Sequence, residues 1–459
     1  MQLEVRPGGS LAGEVRVPGD KSIAHRWLIL ASTADGPSRL GSLPISLDVR
    51  STAVCLAAIT RKTRPSLDLW SRNDAPSVEG GGSTWNERDE GSTVPLLEVE
   101  GDGRDGLSAP DGPLDCGNSG TSMRLLAGLL AGAPWTSVLL GDASLSTRPM
   151  ERVASPLRAL GADVRTTDGH APLRIRGGGL RGADIALDVP TAQVKGAVLL
   201  AGLAADGPTS VTETAPTRDH TERALLALHA PVHIEGRRIQ VERFQHAGFD
   251  AVVPGDVSSA AFLVAAAALT GSPITIRDVG LNPSRLGFLG VMQRMGVVAK
   301  TTVERYELGE PAGTIEVGTT GPLEATTVDP EELPLVIDEV PVLAALASHA
   351  RGATWFTGAR ELRVKESDRL SAVREGIVSL GGRASVEGDD LVVLGGGLAG
   401  GTATAGGDHR MGMSFAVAAL VGDEPSTIEG IESADVSFPG FVSTLQTLGA
   451  DLEAHEAPA

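Results

Sequence analysis

The chain has 459 residues, 41% hydrophobic and 21% charged, the proportions of a soluble globular protein and not of a disordered or membrane one. Asp and Glu number 58 against 39 Lys and Arg, a net charge of −19, which argues against a nucleic-acid partner because such binders carry a basic surplus. The length exceeds one ordinary core and predicts two domains. Two cysteines, Cys55 and Cys116, point to a reducing compartment, argue against a disulfide framework and rule out a four-cysteine zinc site. No histidine stands near them at metal-ligand spacing, so no metal is expected. Met1 to Leu11 has no apolar core, which argues against a signal peptide. The longest apolar run, Ala260 to Leu269, is half of the ~20 residues a membrane span needs. A cytoplasmic protein without membrane contact is expected.

Aromatic residues are only 3% of the chain and glycines number 58, so the core is built from Ala, Val, Leu and Ile with many short turns. Six segments share one pattern, an Asp, Asn, Ser or Thr near the start, a few polar residues, then an almost unbroken apolar run. In chain order they are Asp20–Gly36, Gly117–Gly132, Pro190–Gly207, Gly255–Gly271, Ile337–Gly352 and Gly407–Gly422. Each reads as an N-capped helix closed by glycine and buried on most sides. Between them recurs a helix tail, a turn and a strand, at Leu157–Val164, Leu226–His233, Met292–Val298, Ile377–Ala384 and Leu445–Leu452, with a first copy ending near Ile59. Six units of two helices and several short strands follow from this repeat.

The interval Arg61–Pro110 is rich in Gly, Ser, Arg, Asp and Glu and breaks the period. It reads as a surface excursion on the first unit. Gly101–Gly106, Gly177–Gly182 and Gly395–Gly400 each satisfy G-x-G-x-x-G. None leads from a strand straight into a helix, so they read as repeat turns and not as dinucleotide sites.

The same place in every repeat carries unusual residues. At the helix starts stand Lys21, Ser22 and Arg26; Asn118, Gly120, Thr121 and Arg124; Thr191, Gln193 and Lys195; Asp256, Ser258 and Ser259; Asp338 and Glu339; and Asp408, His409 and Arg410. A helix start offers free N–H groups and a partial positive charge, so six such ends facing one cleft select anions, phosphate above all. Capping explains the Asp, Asn, Ser and Thr residues but not Lys21, Arg26, Arg124 or Arg410, because a cation near a helix start is electrostatically unfavourable. An anion between them relieves that cost. Two more clusters fit: Ser144–Val153, with Arg148 before a proline, and Arg363–Leu370, in which Lys365 and Arg369 are spaced to share a helix face.

Seven segments in order, PGDKSIAHR (Pro18–Arg26), LDCGNSGTSMR (Leu114–Arg124), GDASLSTRPM (Gly141–Met150), TAQVKGAVLLAGL (Thr191–Leu203), GDVSSAAFLVAAA (Gly255–Ala267), LRVKESDRL (Leu362–Leu370) and GDHRMGM (Gly407–Met413), resemble 5-enolpyruvylshikimate-3-phosphate synthases. A related family, the UDP-N-acetylglucosamine enolpyruvyl transferases, has Lys-Asn where Lys21-Ser22 stands and lacks the KESDR stretch. The resemblance implies an α/β enolpyruvyl transferase fold of two domains, each of three βαβαββ units around buried helices, an inside-out α/β barrel. One domain would be residues 1–19 and 250–459, the other 20–249 with the polar insertion at about 61–110.

The implied reaction transfers the enolpyruvyl group of phosphoenolpyruvate to the 5-hydroxyl of shikimate 3-phosphate by addition and elimination, with release of phosphate. By the same resemblance Lys21, Ser22, Arg26, Thr191, Ala192, Gln193, Arg218, Asp338 and Lys365 would hold shikimate 3-phosphate. Lys21, Gly120, Arg148, Gln193, Arg369 and Arg410 would hold phosphoenolpyruvate. Asp338, Glu366 and Lys21 would move protons, and neither a metal nor an organic cofactor is implied; a monomer is expected. Gly120 is the small residue that in this family leaves room for the inhibitor glyphosate. The chain departs from the family pattern at Val436, where many members have Lys, at Glu361, where some have Asn, at Ala192, where some have Ser, and at Leu125, where Pro is frequent.

Overall fold

A computed structural model describes residues 1–60 and 96–456. In chain order the helices are α1 (Lys21–Thr33), α2 (Leu47–Ile59), α3 (Gly120–Ala131), α4 (Glu151–Ala159), α5 (Ala192–Gly202), α6 (His220–Ala227), α7 (Val257–Thr270), α8 (Gly287–Arg294), α9 (Leu333–Val336), α10 (Val340–Ala347), α11 (Arg369–Ser379), α12 (His409–Ala419) and α13 (Phe441–Leu448). The six apolar runs are α1, α3, α5, α7, α10 and α12. In α7 every side chain from Val257 to Ala268 is buried, as a helix apolar on all faces requires. Small residues let these helices approach closely. A Cβ on Gly128 of α3 would lie 2.2 Å from the Ala197 carbonyl oxygen of α5, so only glycine fits there.

Four of the six begin on the expected caps. The N–H groups of Ile23, Ser122, Ser258 and Arg410 donate to Asp20 (2.9 Å), Ser119 (3.1 Å), Asp256 (2.8 Å) and Asp408 (3.0 Å). The starts of α5 at Thr191 and α10 at Glu339 have no side-chain cap. The expected glycine closures hold only in part. Gly271 ends α7 with φ at 63°, and Gly132 ends α3 in a right-handed conformation. The helices α1, α5, α10 and α12 stop earlier, at Ala34, Leu203, Ser348 and Leu420. Tightened last turns satisfy their carbonyls without a left-handed residue; the Leu203 N–H, for example, donates to Leu199 and Ala201.

The described strands form six sheets. One unit shows the plan. Leu114–Asp115 leads into α3, Thr136–Leu140 lies parallel to it, α4 follows, and the hairpin Asp163–Thr167 with His170–Arg176 closes the sheet antiparallel. Chain ends are shared between units. Gln2–Arg6 sits between Ser426–Glu429 and Asp451–His455, Gly13–Arg16 runs parallel to Ile274–Gly280, and Asp250–Val252 runs parallel to Asp35–Gly41.

Two hydrophobic cores result. One joins Leu3–Leu11 to Val257–Leu452, and the other spans Ile23–Val253. The chain passes between them twice, and the two passages lie side by side. The Asp20 N–H donates to Pro254 at 2.8 Å and the Asp256 N–H to Pro18 at 2.7 Å. Ala251 and Val253 pack in the second core, so this passage falls after Val253 and not between Phe249 and Asp250 as expected.

The interval 61–110 also differs from expectation. Residues 61–95 lie outside the described residues, but 96–110 are built into the fold. Leu96–Asp102 pairs antiparallel with Asp35–Gly41 along its whole length, because Leu97 and Val99 alternate onto the buried face. Arg104 then donates to the Leu200 carbonyl at 3.2 Å. Replacing Leu97 by Ala is expected to destabilise the protein by about 3 kcal/mol in urea unfolding. An unchanged midpoint would return this strand to a dispensable loop.

Candidate active site

The starts of the buried helices meet between the two cores. On one side Lys21 Nζ at the start of α1 pairs with Asp48 Oδ2 of α2 at 2.8 Å. Arg26, one turn on, is buried. Its Nε donates to Thr221 Oγ1 at 2.8 Å, Nη1 to the Ser22 carbonyl at 2.8 Å and Nη2 to the Ala192 carbonyl at 3.3 Å, which ties α1 to the uncapped start of α5. At the start of α5, Gln193 accepts from Arg124 of α3 and donates to Thr121 Oγ1 at 2.9 Å. Arg148 donates to Asn118 and, at 3.3 Å, to Ser144 Oγ. A Cβ on Gly120 would lie 2.8 Å from the Arg124 guanidinium and 3.5 Å from that of Arg148.

The other side supplies the carboxylates. Asp338, in the turn before α10, has Lys365 Nζ at 3.2 Å and Arg369 Nη1 at 3.5 Å from Oδ1. Arg410 at the start of α12 donates to the Asp338 carbonyl at 2.9 Å and lies 3.7 Å from Glu339. Glu366 lies 2.7 Å from Arg369 Nη2. Asp408 receives Arg369 Nε at 2.8 Å, and the Arg369 side chain is only 1% exposed.

Among the described residues, ion pairs cross the gap at three places. Arg218 meets Asp338, Arg148 lies 3.7 Å from Glu366, and Arg152 forks onto Glu361 at 2.8 and 3.2 Å. Lys21, Arg148, Lys365 and Arg410 therefore converge on one gap, while Ser22 and Ala192 hold the α1 and α5 starts through carbonyls that accept from Arg26, and Thr191 precedes α5. The anticipated cost of cations at helix starts is met within the chain, by Asp48 for Lys21 and by Asp338 and Glu339 for Arg410.

The electrostatics follow from burial opposed by this pairing. Burial acts to raise the Glu366 carboxyl, but Arg369, Arg148 and Lys365 outweigh it and hold it far below the usual carboxylate range. Asp338 behaves alike; burial is overcome by Lys365, Arg218, Arg410 and Arg369, and the group stays ionised. Lys21 is raised, because Asp48 outweighs the burial that acts to lower it. Burial, with Lys21 and Arg410 beside it, lowers His409 to about 3, so its imidazole is neutral, and its Nε2 has no hydrogen-bond partner.

Some expectations change. Lys365 and Arg369 do not share a helix face: Arg360–Val364 is a 3-10 turn, Lys365 is extended and α11 begins at Arg369. Asp338 brings the two together instead. Lys195 turns away from the gap to Glu213 at 3.0 Å and Glu222 at 2.7 Å in a buried cluster. Residues that sequence reasoning missed are Asp48, which had no motif around it, and Arg152, whose partner Glu361 lies 209 positions away. Val436 ends the turn Ile431–Val436 and brings no cation to the gap.

More cations than carboxylates line this gap, on an α/β frame whose helix ends face it, the arrangement of an enzyme for small, multiply charged anions. A sequence profile described as EPSP synthase (3-phosphoshikimate 1-carboxyvinyltransferase) matches residues 5–72 and 82–445. A 3-phosphoshikimate 1-carboxyvinyltransferase of Acidithiobacillus ferrooxidans is 45% identical over 455 residues, 99% of both chains. One of Alkalilimnicola ehrlichii is 44% identical over 464 residues, covering 100% of this chain and 98% of the relative. A solved EPSP synthase of Acinetobacter baumannii superposes with a TM-score of 0.82 at 38% identity, covering 98% of this chain and 99% of that one. The chain belongs to the EPSP synthase family, and its fold is the two-domain α/β enolpyruvyl transferase fold. Among the described residues no helix is long and apolar enough to cross a membrane.

Because the folded-state pKa values of Asp338 and Glu366 are depressed, their contribution to stability is present above the unfolded-state values, about 3.9 and 4.3, and is lost as pH falls below these toward the folded-state values. Urea midpoints are expected to hold between pH 7 and 5 and to fall below about pH 4. The double variant Asp338→Asn/Glu366→Gln should lose less across that lower window. An acid loss equal to wild type would place the sensitivity in other carboxylates.

Proposed function

We propose that this chain binds phosphoenolpyruvate and shikimate 3-phosphate side by side in the gap and transfers the enolpyruvyl group to the 5-hydroxyl, releasing phosphate. The observation that carries this reading is the pair of carboxylates, Asp338 and Glu366, each held by arginines from both sides of the gap. Two phosphorylated substrates need many cations, and the arginine fork matches phosphate and carboxylate geometry. Lys21, Ser22, Thr191, Ala192, Gln193, Arg218 and Lys365 serve shikimate 3-phosphate, with Arg26 holding the α1 and α5 starts behind it. Lys21, Gly120, Arg148, Gln193, Arg369 and Arg410 serve phosphoenolpyruvate.

In the addition step the 5-hydroxyl oxygen bonds to C2 of phosphoenolpyruvate. Asp338 takes the hydroxyl proton, and Glu366 protonates the methylene carbon to a methyl group. In the elimination step Glu366 takes a proton back from that methyl group, the double bond re-forms and phosphate leaves, with Lys21 as a further proton carrier. Substrate anions engage Arg218, Lys365, Arg148 and Arg369 in place of the carboxylates. That exchange frees Asp338 and Glu366 from their cations and raises their proton affinity into a useful range. Closing the gap expels water and strengthens each of these interactions.

The moving bodies are the two cores, taken as domains of residues 1–19 with 250–459 and 20–249, the second junction adjusted to follow Val253. The protein works as a cytoplasmic monomer without metal or organic cofactor. Phosphate release from the two substrates together, and from neither alone, is the expected result of a direct assay. Release only with UDP-N-acetylglucosamine as acceptor would overturn the assignment. Glu366→Gln is expected to bind both substrates near normally and to lose at least about 100-fold in kcat; a near-normal kcat would remove Glu366 from proton transfer.

A further inference from the structure

Arg285 ends the short turn Pro283–Arg285 between the strand Ile274–Gly280 and α8, and it is 3% exposed. No sequence motif points to it and no step above uses it. Its guanidinium lies between the two chain passages. Nη1 donates to Asp20 Oδ2 at 2.9 Å, and Nη2 donates to Asp256 Oδ1 at 3.2 Å and to Ser258 Oγ at 2.6 Å. Both carboxylates are already caps: Asp20 Oδ1 receives the Ile23 N–H that opens α1, and Asp256 Oδ1 receives the Ser258 N–H that opens α7. The Ser258 hydroxyl donates in turn to Glu339, next to Asp338 at the start of α10. His220 Nε2 lies 3.4 Å from Nη1, and its Nδ1 is 2.8 Å from Glu310, so the network joins elements of both cores. A planar guanidinium holds several acceptors at fixed angles, which a single ammonium does not.

We propose, on the enolpyruvyl-transfer reading above, that Arg285 is a positioning residue that sets the placement of Lys21 against Asp338 by joining the caps of α1 and α7 and, through Ser258, the start of α10. It touches no substrate. The competing role is charge neutralisation of Asp20 and Asp256 alone. Four variants separate the two: R285K, R285M, D20N/D256N and R285M/D20N/D256N, in which Asn still caps the helices. Melting temperature, kcat and each KM are measured by calorimetry and phosphate release.

R285M is expected to lose both melting temperature and activity, and D20N/D256N is expected to lose kcat as well, because the amide that replaces Oδ2 of Asp20 donates and cannot accept from the guanidinium. In the triple variant the melting temperature returns to within a few degrees, but kcat stays about 100-fold low, the scale of an approximately 1 Å misplacement. R285K keeps the charge, melts near wild type and is expected to lose kcat as well. A triple variant that regains kcat, or an R285K enzyme with wild-type kcat, overturns the proposal. If wild type releases no phosphate from the two substrates, the functional reading fails on its own. Amide exchange at Ile23 and Leu343 in R285K then judges Arg285 separately, faster exchange supporting the positioning role and unchanged exchange refuting it.

Discussion

Cations placed at the positive ends of helices are the constraint around which this protein is organised. Lys21 and Arg410 stand in the first turns of α1 and α12, where the backbone field repels them, and Arg124 follows one turn into α3. In the structure Asp48 and the Asp338–Glu339 turn hold Lys21 and Arg410, and Gln193 holds Arg124. The same balance explains why Asp338 and Glu366 are so weakly basic here and why an arriving phosphate has so much to gain. On the proposed mechanism it takes the place of an internal carboxylate and leaves that carboxylate free for proton transfer.

The fold explains why the chemistry sits on helix ends. The sides of α1, α3, α5, α7, α10 and α12 are consumed by packing, so only their termini remain free to meet a ligand. Small side chains make such packing possible, as at Gly128 against Ala197. The mixed sheets wrapped outside leave the helix starts facing inward. The two chain passages, paired through Gly19 and Gly255, keep both sets of ends in register.

Legibility in the sequence was uneven for physical reasons. Caps, apolar runs and the Lys-Ser, Arg-Pro-Met and Lys-Glu-Ser-Asp-Arg segments are local, so the buried helices and most cations could be read directly. Asp48 and Arg285 gave no signal, and Arg152 lay inside the Ser144–Val153 cluster without being singled out. Each acts through a partner distant in the chain and sits in ordinary helix or turn sequence. The strand Leu96–Asp102 was hidden for a different reason, because the polar residues before it masked the alternation of Leu97 and Val99.

The sequence alone determined the inventory: six buried helices, the caps that open four of them, and a set of cations too costly to leave unpaired. Those depend on neighbours within a turn or two. The tertiary structure decided the pairing, that Lys365 and Arg369 meet at Asp338 and not along a helix face, that Lys195 turns away to Glu213 and Glu222, and that Arg218 and Arg148 reach across the gap. Pairing energies depend on distance in space and on burial, and neither exists until the two cores are brought together.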